Sequence, residues 1–196
     1  MTTEQIVKRI AVLLAILAIA AVGATPAVAQ NASREASVQD GFEAVQCTSD
    51  VPRALIGKRM KNERVVVIEA RHADIGLKDL GAYEVSDRMT SITWHMCGGD
   101  FMLLQDGAGV VRNVLLLPPH EHSQMAFMMA CQVNGQSETG IFVALLGKDT
   151  GYNPNAPDTT FYPAEAAWKI DVGRADFLKL PGNGVYCATL SKSGGQ

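Results

Sequence analysis

The chain has 196 residues, with 17 basic and 20 acidic side chains and a formal net charge of −3 at pH 7. Nucleic acid and anionic membranes are not expected partners, because the sequence has no run of Lys or Arg that could form a basic patch. Hydrophobic residues make up 47% of the chain, which is enough for one domain with a sizeable core.

The first 29 residues have the order of a secretory signal peptide. Lys8 and Arg9 precede an almost unbroken apolar run over residues 10–22, and an A-x-A cleavage site ends at Ala29. The apolar run is short for a membrane span, which needs about 20 residues. We therefore predict cleavage near Ala29, a secreted or periplasmic protein, and no transmembrane segment after cleavage. The alternative is a retained N-terminal anchor.

The rest of the chain divides by composition. Residues 30–41 are polar and rich in Ala and Ser, which predicts a flexible lead-in. Residues 42–190 are expected to form a single disulfide-stabilised β domain, and residues 191–196 a tail. Near the start of this domain, Asp50 as an N-cap and Pro52 in the first turn predict one short helix.

Four cysteines follow the signal peptide, and no two are close in the sequence. Export places them in an oxidising compartment, where disulfides persist, and their wide spacing argues against a zinc knuckle. Three pairings are open. We favour Cys47 with Cys97 and Cys131 with Cys187, because each bond then ties neighbouring parts of the chain.

Short apolar or alternating segments separated by turn residues run through the domain. A run of three valines and an isoleucine predicts a central strand from Arg64, and Gly-rich turns join the next three segments as an antiparallel meander. Residues 72–81 are interpreted as a turn closed by Gly81. We therefore expect a mainly β fold, an antiparallel sandwich or small barrel of about 8–9 short strands with one or two short helical turns. The predicted strands are residues 64–70, 91–97, 101–106, 110–117, 125–133, 139–147, 164–172, 175–181 and 184–190.

Two segments are candidate binding sites. Glu69, Arg71 and His72 form a charged group at the end of the Val-rich segment, a common place for a binding site. The long loop of residues 148–163 carries Tyr152 and ends near Tyr162, and aromatic residues are enriched at interfaces. A solvated charged surface and a plain connecting loop are the structural alternatives.

His120 and His122 are candidate metal ligands, because residues two apart in a strand point the same way. A third ligand is missing from the nearby sequence, so His72 or His95 would have to complete the site through the fold. Copper or zinc is the cofactor of this alternative, with nearby methionines as soft ligands for copper. Pro118 and Pro119 favour an exposed loop instead. The methionines concerned are Met96, Met125, Met128 and Met129.

Hydrolysis is the second alternative. The chain lacks the G-x-S-x-G elbow of serine hydrolases, and all four cysteines can pair, which removes a thiol nucleophile. Carboxylates between Glu69 and Asp87 could act as an acid–base pair, although interspersed basic residues suggest a solvated surface. The carboxylates are Glu69, Asp74, Asp79, Glu84 and Asp87.

The absence of a complete catalytic motif leaves a binding or inhibitor-like role as the leading hypothesis. The predicted protein is an exported, soluble domain with no recognisable catalytic centre and no predicted cofactor. Its partner would be a protein or a small-molecule ligand. Metal binding and hydrolysis stay open as alternatives, and enzyme activity is not expected.

Overall fold

The computed structural model describes residues 40–153, 160–181 and 184–188. The predicted signal peptide, most of the predicted lead-in, the tail and part of the 148–163 loop lie outside these residues. Within them the protein is mainly β, with nine strands in two antiparallel sheets and two short α-helices. The predicted fold class, an antiparallel sandwich with short helical turns, is confirmed.

Sheet 1 is a four-stranded meander in the order β1-β2-β3-β4. Its last three strands match three predicted segments, and short glycine-containing turns of two and four residues join them as expected. β4 ends just before the Pro118–Pro119 pair, since proline cannot donate to the ladder. The strands are β1 Lys78–Ser86, β2 Met89–Met96, β3 Gly99–Asp106 and β4 Val111–Leu116.

Sheet 2 curls into a ring. β6 pairs with both β5 and β7, and β9 pairs with both β5 and β7, so four strands close a circuit with β8 at its side. The β5–β6 turn uses Asn134 and Gly135, whose φ angles of 52° and 78° suit a tight hairpin. The strands are β5 Met125–Val133, β6 Gln136–Leu146, β7 Tyr162–Asp171, β8 Asp176–Lys179 and β9 Val185–Ala188.

The buried residues form three clusters. One fills the ring of sheet 2, and one lies between the two sheets, where Tyr83 and Phe127 stack with ring centroids 4.2 Å apart. The third lies on the outer face of sheet 1, under the N-terminal helices α1 (Val51–Leu55) and α2 (Val65–Arg71). Asp50 caps α1 by accepting from the Arg53 N–H, as predicted. Sheet 1 therefore carries a core on each face.

The strand predicted from Arg64 is wrong, because these residues form α2. In a helix, Ile68, Arg71 and His72 lie at i, i+3 and i+4 and therefore on one side. Ile68 is buried in the outer core, and Arg71 and His72 both reach Asp40. Tertiary contacts outweigh the β preference of the valines, which stay on the surface. Asp40 itself was assigned to the flexible lead-in, yet it is buried and accepts from the Phe42 N–H.

β1 is not among the strands that the sequence predicts. This edge strand buries only Val85 fully and is interrupted by Gly81, so it shows little apolar alternation. The turn predicted over residues 72–81 is a 3₁₀ turn, Ala73–Ile75, that closes earlier, at Gly76 with a φ of 69°. The last four residues of that segment belong to β1.

Both favoured disulfides are present. Cys47 pairs with Cys97 and ties the N-terminal segment to the turn after β2, while Cys131 pairs with Cys187 across β5 and β9. The described cysteines leave no free thiol. Two disulfides suggest an oxidising, extracellular environment. Among the described residues, no helix is both long and apolar enough to cross a membrane.

Candidate functional site

A cleft of about 570 Å³ opens on the outer face of sheet 1. Strand register sets its floor: Trp94 lies opposite Phe101, and two rows further on Thr90 lies opposite Gln105. Between them, Ile92 faces Ala82 of β1. Side chains two apart in a strand share a face, so this floor runs along β2 and its neighbours.

The cleft exists because the helical layer covers the outer face only in part. α1 packs on β4, and α2 contacts β1 near its start. The connecting residues 60–63 form the far wall, held by the Met60 N–H donating to the Gly109 carbonyl at 2.9 Å. Across from them, β1 offers the small side chain of Ala82, which leaves the space beside Ile92 open.

Two residues that line the cleft each have a buried N–H group that makes no hydrogen bond to any described protein atom. These groups are Nε1 of Trp94 and Nε2 of Gln105. Both side chains line the cleft and both residues are at most 7% exposed. Leaving a buried donor unpaired costs about 1–3 kcal/mol. Natural proteins pair most such groups, so two in one cleft indicate where a ligand oxygen would bind.

The rim of the cleft is acidic. Burial alone would raise the pKa of Asp40, but hydrogen bonds from His72, the Phe42 N–H and Arg71 outweigh it and hold the pKa below its ordinary value. The pKa of Asp106 is also lowered, mainly by the Val110 N–H. Arg71 pairs with Asp40 and Glu63, and Arg112 pairs with Asp106, so most of this negative charge is compensated. The charged residues lining the cleft are Asp40, Lys61, Glu63, Asp79 and Asp106.

The predicted group of Glu69, Arg71 and His72 stands behind the cleft wall. Arg71 and His72 hold Asp40 at 2.8 and 3.0 Å, and because an ionised carboxylate only accepts, His72 Nε2 carries a proton. Glu69 accepts from the Asp79 N–H at 2.8 Å and joins α2 to β1. These side chains hold Asp40 and the start of β1 in place and so position the cleft wall.

The two predicted tyrosines lie elsewhere, at one end of the ring of sheet 2. Tyr152 and Tyr162 make an edge contact with centroids 5.2 Å apart, and the hydroxyl of Tyr162 accepts from the Asn153 N–H. Burial, and then the neighbouring Tyr162, raises the pKa of Tyr152. Tyr162 is part of the ring core, so this pair is separate from the cleft.

The structure separates the two predicted metal ligands. His122 is exposed at the start of the 3₁₀ turn His122–Gln124. The side chain of His120 is only 3% exposed and points to Asp100, which also contacts His95. The segment is therefore not wholly an exposed loop. His95 does approach His120, with Asp100 between them, whereas His72 lies in the separate Asp40 group.

The nearby methionines do not converge. Met128 is in the ring core, Met125 and Met96 pack against two other cores, and Met129 accepts from the Tyr83 hydroxyl at 3.8 Å. Among the described residues, no group of three or more His, Cys, Asp or Glu side chains could hold a metal ion.

The carboxylates proposed for hydrolysis do not form a buried pair. Glu69 and Asp79 hold backbone N–H groups, and the side chain of Asp87 is 84% exposed on the β1–β2 turn. The one fully buried carboxylate of the described residues, Asp40, comes from outside that segment. Sequence reasoning missed Asp40, Trp94 and Gln105, which only strand register and the N-terminal fold bring together.

The comparisons with known proteins add no family to this description. No protein-family model, no curated protein and no solved structure matches the chain. Among the described residues, the features that bear on function are the cleft, the two unpaired donors of residues that line it, and its mainly acidic charged residues.

Proposed function

We propose that this chain is an exported binding protein whose cleft on sheet 1 takes a neutral small molecule bearing hydrogen-bond acceptors. The observation that carries the proposal is that two residues lining the cleft have buried, unpaired donors, Trp94 Nε1 and Gln105 Nε2. Ligand pockets characteristically combine an apolar wall with a few convergent polar groups. The cleft volume of about 570 Å³ lies in the range of pockets that bind small molecules.

The chemistry of the ligand follows from the walls. N–H donors at the floor call for carbonyl or hydroxyl oxygens, and Ile92 and Val65 call for an apolar body. Trp94 and Thr90 are four residues apart on β2, and Gln105 pairs with Thr90, so the donors stem from positions roughly 13 Å apart along the strand. The ligand is therefore elongated, with an acceptor towards each end.

Export is the second part of the proposal. The basic, apolar and small-residue order of the first 29 residues supports a signal peptide cleaved near Ala29, and the two disulfides suit an oxidising compartment. A secreted or periplasmic binding protein meets its ligand by diffusion. It therefore needs a cleft that is open to solvent, as this one is.

The test is a binding screen read on indole resonances. The chain has two tryptophans, so in a ¹⁵N-labelled protein starting at Gln30 the two indole signals can be assigned with one variant. We would screen neutral amides, lactams, ureas and sugars. Binding in the cleft shifts the Trp94 indole signal and leaves Trp168, which lies between the sheets, in place.

A matched pair of variants makes the screen decisive. Gln105→Met removes the donor at similar volume, and should weaken a hit at least tenfold. Gln132→Met makes the same change on β5, in the other sheet, and should leave the affinity within twofold. The proposal fails if no compound in the screen shifts Trp94, or if the two variants weaken binding equally.

A further inference from the structure

A second site lies in a groove of about 510 Å³ at the other end of the β2–β3 hairpin. Its walls include the residues that follow β4 and the turn after β2. His95 Nδ1 is 2.6 Å from Asp100 Oδ1, and His120 Nε2 is 3.6 Å from Asp100 Oδ2. The Asp100 carboxylate therefore lies between the imidazole of His95, on β2, and the imidazole of His120, in the segment after β4.

The hydrogen bonds of His120 fix which nitrogen is available. Nδ1 lies 2.8 Å from the Pro118 carbonyl, and since a carbonyl only accepts, Nδ1 carries a hydrogen. In the neutral ring, Nε2 then holds a lone pair. That atom is buried without a hydrogen-bond partner among the described residues, on a side chain that is 3% exposed.

A lone pair and a carboxylate oxygen 3.6 Å apart repel each other unless a positive charge lies between them or on one of them. We infer that His120 Nε2 and Asp100 Oδ2 bind one divalent transition-metal ion, with Zn²⁺ as the probe of this chemistry. Zinc binds imidazole nitrogen and carboxylate oxygen at about 2.0–2.2 Å, so two tetrahedral ligands stand about 3.3 Å apart. The observed separation needs only a small adjustment.

The residues around this pair are those that a metal site uses for support. A metal-bound imidazole commonly donates its other N–H to a backbone carbonyl, as His120 does to Pro118. A metal-bound carboxylate is itself hydrogen-bonded, as Asp100 is to His95. His95 is therefore a positioning residue. Cys97 also lines the groove, but its disulfide removes it as a thiolate ligand.

Two protein ligands would leave the other coordination positions of the metal to water or to a small anionic ligand. This agrees with the lack, among the described side chains, of a preformed group of three or more ligands. This inferred pair differs from the pair that the sequence suggested, because Asp100 takes the place of His122. Asp100 lies 20 positions before His120.

The experiment is a calorimetric titration of tag-free, metal-free protein from Gln30 with ZnCl₂ at pH 7.5. We expect one site, with binding reduced at least tenfold in His120→Gln and in Asp100→Asn. His95→Gln should reduce it by about 10–100-fold, the range for a supporting residue. The matched control is His122→Gln, an exposed histidine two residues away, which should change binding less than twofold.

Far- and near-UV circular dichroism shows whether each variant is folded, and histidine Cε1–H chemical shifts report the site directly. Zinc should move the His120 signal and leave His122 unchanged. The inference is overturned if wild-type protein shows no saturable zinc binding, or if His122→Gln loses as much affinity as His120→Gln. It is also overturned if His120 is an imidazolium at pH 7.5 in the metal-free protein and stays so in zinc, because a proton then supplies the charge.

Discussion

The two faces of sheet 1 use the same strands and end differently. On the inner face, Met102 and Leu104 are fully buried against residues of sheet 2, such as Val143. On the outer face, short helices cover part of the sheet and leave a cleft whose floor holds Trp94 and Gln105. One face is completed by a second sheet, and the other stays partly open to solvent.

Because the two faces are packed differently, the inner face contributes mainly to stability, and the outer face has room for a ligand. A face packed by a second sheet has little room for a ligand, so its side chains chiefly contribute to the free energy of folding. The hydroxyl of Ser91 is also buried on the inner face without a hydrogen-bond partner among the described residues. It is a single small group between two packed sheets. The outer face combines space, two unpaired donors and fixed charge, and these features favour a binding site over a core.

The largest effect should come from the inner face. Leu104→Ala removes a fully buried side chain from between the sheets and should lower the free energy of unfolding by about 2–5 kcal/mol. Ile92→Ala, on the cleft floor, should lower it by only about 1 kcal/mol, since the side chain is partly exposed and water fills the space. Urea unfolding measures both. Equal losses would contradict the contrast between the faces.

Asp40 should show a smaller, pH-dependent effect. Asp40→Asn weakens charge-assisted bonds to Arg71 and His72 and should cost about 1–3 kcal/mol at pH 7. The folded-state pKa of Asp40 lies below its ordinary value of 3.8, so this stabilisation is complete above 3.8 and is lost as pH falls through the lower value.

Urea unfolding at several pH values checks the prediction for Asp40. Below the folded-state pKa, Asp40→Asn and wild type should converge in stability. The control is Asp87→Asn, a change at an exposed carboxylate, which should leave stability nearly unchanged at every pH. A difference between Asp40→Asn and wild type that stays constant down to pH 2 would contradict the assignment.

Replacing Gln105 should change the free energy of unfolding in the opposite direction to replacing a core residue. Because Nε2 is buried without a partner, Gln105→Met removes a desolvated donor and should raise the free energy of unfolding by about 1 kcal/mol. The same variant is expected to bind the cleft ligand at least tenfold more weakly. Thermal and urea unfolding measure the gain, and a clear destabilisation would show that Gln105 is a satisfied structural residue.

The smallest effect is expected on α2. Val66 is 62% exposed, and lysine has a better helix propensity, so Val66→Lys should change stability by less than about 0.5 kcal/mol. The change should also slow aggregation on heating, since it interrupts a run of β-branched apolar residues. Light scattering during a thermal ramp measures this. A loss of stability well above this value would contradict the exposed position of Val66 and would mean that its side chain packs against other residues.

Local patterns predicted most strands, because alternation and glycine turns are read within ten residues, as in β2 to β4. The same reasoning placed Arg64 to Ala70 in a strand, since intrinsic preference does not reveal that Arg71 and His72 reach back to Asp40. The cleft was beyond such patterns. Its donors come from β2 and β3, and its wall comes from a segment about 30 residues earlier, so only the assembled fold brings them together.

Ligand binding in the cleft is tested most directly by a crystal structure of the protein isolated from its native compartment, at a resolution that identifies small molecules. We expect a neutral ligand in the cleft, with one oxygen accepting from Trp94 Nε1 and another from Gln105 Nε2. A cleft in which both donors bond to protein groups, or in which the 60–63 segment packs directly onto Trp94, would contradict it.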